Sequence, residues 1–209
     1  MKRYRSKLIL TSLITLLPLF AGLLFWNQLP NTIATHFNTS NIPNGWSSKA
    51  FTVFAMPSFL LIIHLVCLFA TLYDSKKENI SRKLLSALFW MIPVISCITA
   101  FIIYGNALGL SLNPGGIINL MVAVVFFVIG NYMSKTHQNY TVGIRLPWTL
   151  NSTENWNRTH RLASKFFMAG SLAFLLNAYF LSEVLLVAIV LPCVLVPAIY
   201  SFVLYKKGV

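Results

Sequence analysis

Apolar residues in this chain mostly form long unbroken runs rather than alternating or lying on one helical stripe. Six runs stand out, at 8–26, 51–73, 84–104, 114–133, 162–181 and 183–205. Each is long enough to cross a bilayer as a helix, which takes about 20 mostly apolar residues. The pattern predicts an all-α, polytopic membrane protein with six transmembrane helices. The last two runs are too long together for one span. Ser182 and Glu183 divide them, because serine is a good N-cap and an acid is favoured at the positive end of a helix. Asn113 and Pro114 open the fourth span similarly, with proline at the first helical position. Prolines 18, 57, 93, 192 and 197 lie within spans and predict kinks that membrane helices tolerate. Lys2, Arg3, Arg5 and Lys7 precede the first run. That run exceeds the roughly 7–15 residues of a signal-peptide core and reads as a retained anchor.

Composition removes the competing classes. Apolar residues make up 57% of the chain and charged ones 10%, against about 25% charged in soluble domains. So few charges could not cover a soluble surface, and disorder needs low hydrophobicity. The net charge is +12, from 16 basic residues against Asp74, Glu78, Glu154 and Glu183. Alternate inter-span segments carry 15 of those 16, and the other side has Lys49 alone. Such asymmetry sets orientation and puts both termini in the cytoplasm. It accounts for the charge without direct nucleic-acid binding.

Chemistry is sparse. His64 is the ionisable residue within the hydrocarbon core, where a neutral histidine can bridge helices or serve as a ligand or proton group. Asn106, Asn119 and Asn177 read as polar glue between helices. Cys67, Cys97 and Cys193 lie in apolar runs without metal or redox spacing and read as small packing residues. There is no HExxH, nucleophile elbow or carboxylate pair. His36 or His160 as a base would have no nucleophile at a recognisable spacing. The expectation is a protein that is not an enzyme and uses no cofactor or metal.

Two loops hold the remaining information. In the extracellular loop 27–50, Ile33, Thr35 and Phe37 alternate with Ala34, His36 and Asn38, which predicts a short extended stretch. Asn44-Gly45 is a turn signal, and Trp46 suits a membrane interface. The cytoplasmic loop 134–161 begins with a compact part, Gly143 to Trp148. Gly143 permits an unusual backbone angle, and Pro147 holds Leu146 extended. A helix should start near Asn151, with Glu154 three residues on as a capping box. On it Trp156, His160, Ala163 and Phe167 form one stripe, and Glu154, Arg158, Arg161 and Lys165 the other. This predicts an interfacial amphipathic helix before the fifth span, its basic stripe facing the anionic inner leaflet or an acidic partner. Glu154 and Arg158 are spaced to pair.

The same residues carry a family resemblance. Asn131-Tyr132, Lys135, Asn139-Tyr140, the run Gly143-Ile144-Arg145-Leu146-Pro147-Trp148-Thr149-Leu150, Trp156 and Thr159-His160-Arg161 resemble the signature of the SdpI family of bacterial integral membrane immunity proteins. Leu29-Pro30, Ile33, His36-Phe37-Asn38, Gly45 and Ser48-Lys49 resemble the small module that often precedes that domain. The resemblance implies an N-terminal module at 1–83 and a four-span domain at 84–209. It implies a multi-pass protein of the bacterial cytoplasmic membrane that confers resistance to a secreted antimicrobial peptide. It also implies signalling, in which a cytosolic transcriptional repressor is held at the membrane. On this reading Pro30, His36, Asn38, Trp46 and Lys49 meet the toxin peptide. Lys135, Asn139, Tyr140, Gly143, Arg145, Pro147, Trp148, Trp156, Arg158, His160 and Arg161 meet the cytosolic partner. Arg145 leads that group, since a guanidinium can grip a carboxylate or a helix C-terminus with two bonds. The alternative is a small transporter or exporter of a hydrophobic peptide, for which the spans offer no acid to couple to an ion gradient.

Overall fold

A computed structural model describes residues 4–209. Lys2 and Arg3, counted above in the N-terminal basic cluster, lie outside the described residues. The chain forms α1 (Arg5–Leu24), a hairpin of β1 (Thr32–Phe37) and β2 (Pro43–Ser48), and α2 (Met56–Leu72), entered through a π-helical stretch at Phe51–Ala55. Then come α3 (Arg82–Ala107), α4 (Pro114–Met133), the one-turn α5 (Pro147–Asn151), α6 (Thr153–Phe180) and α7 (Glu183–Lys206). Among the described residues, six helices are long and apolar enough to cross a membrane, as the apolar runs predict. Their outward faces are greasy. Leu13, Leu17, Phe20, Leu172, Leu176, Val184 and Val187 are all exposed, as suits side chains solvated by lipid tails.

Two compact units make up the fold. One takes the chain up to Phe69 together with Ser86–Met121, and the other takes Ala70–Leu85 with Val122–Val209.

In the first unit, Leu29 and Ile33 from the hairpin region pack with Val53, Ile103 and Tyr104. Gly22 belongs to α1 where Val53 and Tyr104 press closest, and a Cβ there would sit 2.7 Å from Val53. Pro18 cannot donate to the carbonyl of Ile14 one turn back. The Cys97 thiol on α3 donates to that carbonyl at 3.6 Å, and Ser96 donates to the Thr15 carbonyl at 2.9 Å. Neighbouring helices thus satisfy the backbone that the proline frees, as hydrocarbon surroundings require. His64 is fully buried, and its Nε2 lies 3.0 Å from the Thr11 hydroxyl, linking α2 to α1.

In the second unit, Ala123, Phe174 and Ile189 form the core, with the Phe126 ring 4.9 Å from both Phe167 and Phe174. Leu181 takes a left-handed conformation (φ 51°), and Ser182 then caps α7 by accepting from the Leu185 N–H. The Ser182–Glu183 break predicted from sequence is therefore where the helix changes. Asn113 likewise caps α4, accepting from the Gly116 N–H at 2.8 Å.

Several expectations need correction. Asn44-Gly45 is not the hairpin turn. The chain reverses at 38–42, where Asn38 accepts from the Ile42 N–H and Asn41 has φ 59°. Asn44 and Gly45 lie in β2, where the register shifts opposite His36, and a Cβ on Gly45 would come within 2.9 Å of His36 Cβ. Asn151 does not cap the amphipathic helix. Pro147 starts a separate helical turn that consumes Asn151, so Ser152 adopts the extended cap geometry and accepts from the Asn155 N–H. Cys67 is exposed rather than packed. Asn106 donates to the Ile102 carbonyl of its own helix rather than to a neighbouring helix.

Candidate functional site: a braced turn on the long loop

The second unit holds the residues with the family resemblance, and their side chains bond to one another. Asn139 is fully buried and organises the turn around itself. Its Oδ1 accepts from the N–H groups of Val142 (2.6 Å) and Thr141 (3.0 Å), while its Nδ2 donates to the carbonyls of His137 and Val142. An Asn side chain that mimics a backbone turn is a usual device where φ values are awkward. They are awkward here, since Gly143 has φ 124°. A Cβ at Gly143 would also strike His160 Nε2 and meet Trp156 at 3.1 Å. Glycine is required there on both counts.

The next residues close the turn onto α6. The Ile144 N–H donates to His160 Nε2 at 2.9 Å, and His160 Nδ1 lies 2.8 Å from the Trp156 carbonyl. One ring nitrogen must accept and the other must donate, so both bonds require the neutral Nδ1–H imidazole. The Trp156 ring stacks on that imidazole with centroids 3.9 Å apart, and its Nε1 donates to the Thr136 carbonyl. The signature pairing of glycine-isoleucine with a distant Thr-His-Arg is thereby explained. The histidine fills the place a glycine Cβ would take and satisfies the following amide.

Leu146 is extended (φ −97°, ψ 153°), as its proline neighbour dictates. Its N–H donates to the Thr149 hydroxyl, which in turn reaches the Ile144 and Leu146 carbonyls. Pro147 opens α5. Trp148 donates to the Ser201 hydroxyl at 2.8 Å and stacks on Tyr205 of α7.

Of the partner-facing residues proposed from sequence, Lys135, Tyr140, Arg145, Pro147, Arg158 and Arg161 are exposed. Lys135 bonds Asn131, Arg145 donates to the Tyr140 carbonyl at 2.7 Å, and Arg158 pairs with Glu154 at 2.5 Å. Asn139, Trp156 and His160 are buried, and Gly143 and Trp148 are partly so. The three buried side chains brace the turn from within, and Gly143 and Trp148 remain in part at its surface.

Sequence reasoning gave no role to Asp74, which follows α2. It is only 6% exposed. Its carboxylate accepts from the Lys76 N–H (2.7 Å), the Tyr140 N–H (2.8 Å) and the Thr141 hydroxyl (2.8 Å). Burial raises this carboxyl, but those donors, with the Thr141 amide, outweigh it and hold it below the ordinary carboxylate value. Gln138 extends the brace. It takes Lys76 Nζ and Asn79 Nδ2, and donates to the Thr149 and Leu150 carbonyls. The segment after α2 holds two acids, Asp74 and Glu78, and nothing local marks the first as the buried one.

In the first unit the proposed toxin-facing residues lie on or beside the hairpin. Pro30, His36 and Trp46 are exposed, and Asn38 is half-buried at the reversal. His36 Nδ1 lies 2.5 Å from Asn44 Oδ1. Lys49 points inward. Its ammonium donates to the Trp26 and Leu29 carbonyls and sits over the Trp26 ring, so it clamps the hairpin to the chain beyond α1. Among the described residues no cluster of histidine, cysteine or acid could hold a metal ion.

Residues 13–61 match a domain of unknown function (DUF1648), and residues 135–201 match the SdpI/YfhL protein family. The chain is similar to the immunity protein SdpI of Bacillus subtilis (strain 168), with 26% identity over 205 residues covering 97% of each chain. No solved structure matches it. Residues 135–201 thus resemble the SdpI/YfhL protein family, and the six apolar spans with the similarity along the whole chain make this a multi-pass protein of the bacterial cytoplasmic membrane.

Proposed function

We propose that this protein protects its own cell against a secreted antimicrobial peptide. The observation that carries the reading is the similarity to an immunity protein along 97% of both chains, spans and loops alike. The exposed hairpin would meet the peptide outside the cell, where Ile42 and Trp46 are each 59% exposed. The long loop would lie in the cytoplasm, as the basic-residue asymmetry predicts. There Arg145 and the stripe of Arg158, Arg161 and Lys165 present cations to an acidic surface on a cytosolic protein. In the signalling form of this reading, that protein is a transcriptional repressor held at the membrane. The role proposed is binding rather than catalysis; the His160 imidazole is buried with both nitrogens occupied and serves the turn.

The test is survival. A sensitive bacterium producing the protein is challenged with a panel of secreted antimicrobial peptides, beside cells lacking it. Selective survival against one peptide is the expected outcome. Equal killing across the panel contradicts immunity.

A further inference from the structure

We infer that Asp74 is a positioning residue for Arg145: it clasps the short loop after α2 to the 138–145 turn and so sets how that turn is presented. The inference rests on the proposed role of the long loop and adds a residue from a different part of the chain.

The argument runs through Tyr140. Its N–H is held by Asp74 Oδ2, and its carbonyl holds the Arg145 guanidinium. One residue is therefore fixed at its amide by the buried acid and steadies the exposed cation through its carbonyl. Thr141 adds a second bond to the same carboxylate oxygen. The other carboxylate oxygen is taken by the Lys76 N–H, so the acid is itself fixed in place. Lys76 then lies over the Tyr140 ring, 5.0 Å from its centroid, and reaches Gln138 Oε1. Charged donors and acceptors make stronger hydrogen bonds than neutral ones. Asp74 thus supplies the strongest acceptor in this brace, and no other acid faces the turn among the bonds described.

An amide in place of the carboxylate keeps the shape but loses the charge and one acceptor oxygen. Which donor goes unmet depends on how the amide turns, but one of the two sides of the clasp must open. The turn then loosens, and Arg145 is no longer held against the Tyr140 carbonyl.

Limited trypsin digestion of the full-length protein in detergent reads this directly. Trypsin must draw the Arg145 side chain into its own pocket, so the clasp protects that bond. Cleavage after Lys206 and Lys207 serves as the internal reference. Asp74→Asn should raise the relative cleavage rate after Arg145 by about tenfold, the order expected for a lost hydrogen bond to a charged group. Thr141→Val, which removes one bond and spares the acid, should give a smaller increase. Asp74→Glu, which restores the charge, should fall between wild type and Asp74→Asn. A rate after Arg145 unchanged in both Asp74→Asn and Thr141→Val overturns the inference.

Survival at matched membrane levels is the second readout. Loss of protection together with faster cleavage supports Asp74 acting through the turn. Faster cleavage with protection intact leaves the clasp standing and overturns the reading of the long loop as the working site.

Discussion

The hairpin loop and the long loop are both polar insertions between greasy helices, yet they are stabilised in different ways. The hairpin rests on two strands, an apolar anchor at Leu29 and Ile33, and one cation, Lys49, set on two carbonyls. It leaves Ile42 and Trp46 exposed. The long loop has no strands. Its backbone groups are met one by one by side chains: Asp74, Gln138, Asn139, Thr149, Trp156 and His160. Buried polar groups that are fully partnered specify one conformation, and partly partnered ones are costly. On the proposed reading, the hairpin offers an exposed apolar face to a peptide, and the long loop is a braced shape that shows Arg145.

The contrast can be broken most severely at Gly143. Gly143→Ala should cost at least about 2 kcal/mol, combining a strained positive φ with collision against His160. Melting of the purified protein would show the loss.

His160→Leu comes next. It keeps the bulk but leaves the Ile144 amide unmet, so a loss of about 1–3 kcal/mol is expected. Faster hydrogen exchange at 139–150 would accompany it.

Acid should act on the same loop through Asp74. Its carboxyl is held below the ordinary value, so its contribution is complete above the ordinary carboxylate range. The contribution fades as pH falls through the lowered folded-state value. Melting temperature should therefore drop with acid more steeply in the wild type than in Asp74→Asn, and parallel curves would count against the clasp.

In the hairpin, Lys49→Met should loosen residues 32–48 in hydrogen exchange, at a cost of about 1 kcal/mol. The smallest effect belongs to Glu154→Gln. Both partners of the Glu154–Arg158 pair are half-exposed or more, and such pairs contribute about 0.2–1 kcal/mol.

What the sequence could reveal follows from the range of each interaction. The spans were readable because an apolar run of their length has few other uses, and the breaks at 113 and 182 because capping is local. The i,i+4 pair of Glu154 and Arg158 was readable for the same reason. Asn151 and Ser152 are both good caps, and the choice between them turned on a helical turn begun by Pro147. Asn44-Gly45 carries a turn's composition, but glycine there makes room for His36 across the strands. Asp74 lay beyond sequence reasoning, because its partners are Tyr140 and Thr141, more than sixty residues away. The signature residues could be recognised together, but their division into buried braces and exposed cations needed the fold.

The central claim is that this division matters to protection: the braces exist to present Arg145. The most direct measurement is survival under the peptide that selects for the wild-type protein, with Arg145→Ala present at the same membrane level and with the same melting temperature. The account predicts that protection is lost while the protein stays folded. Full protection by Arg145→Ala would contradict it.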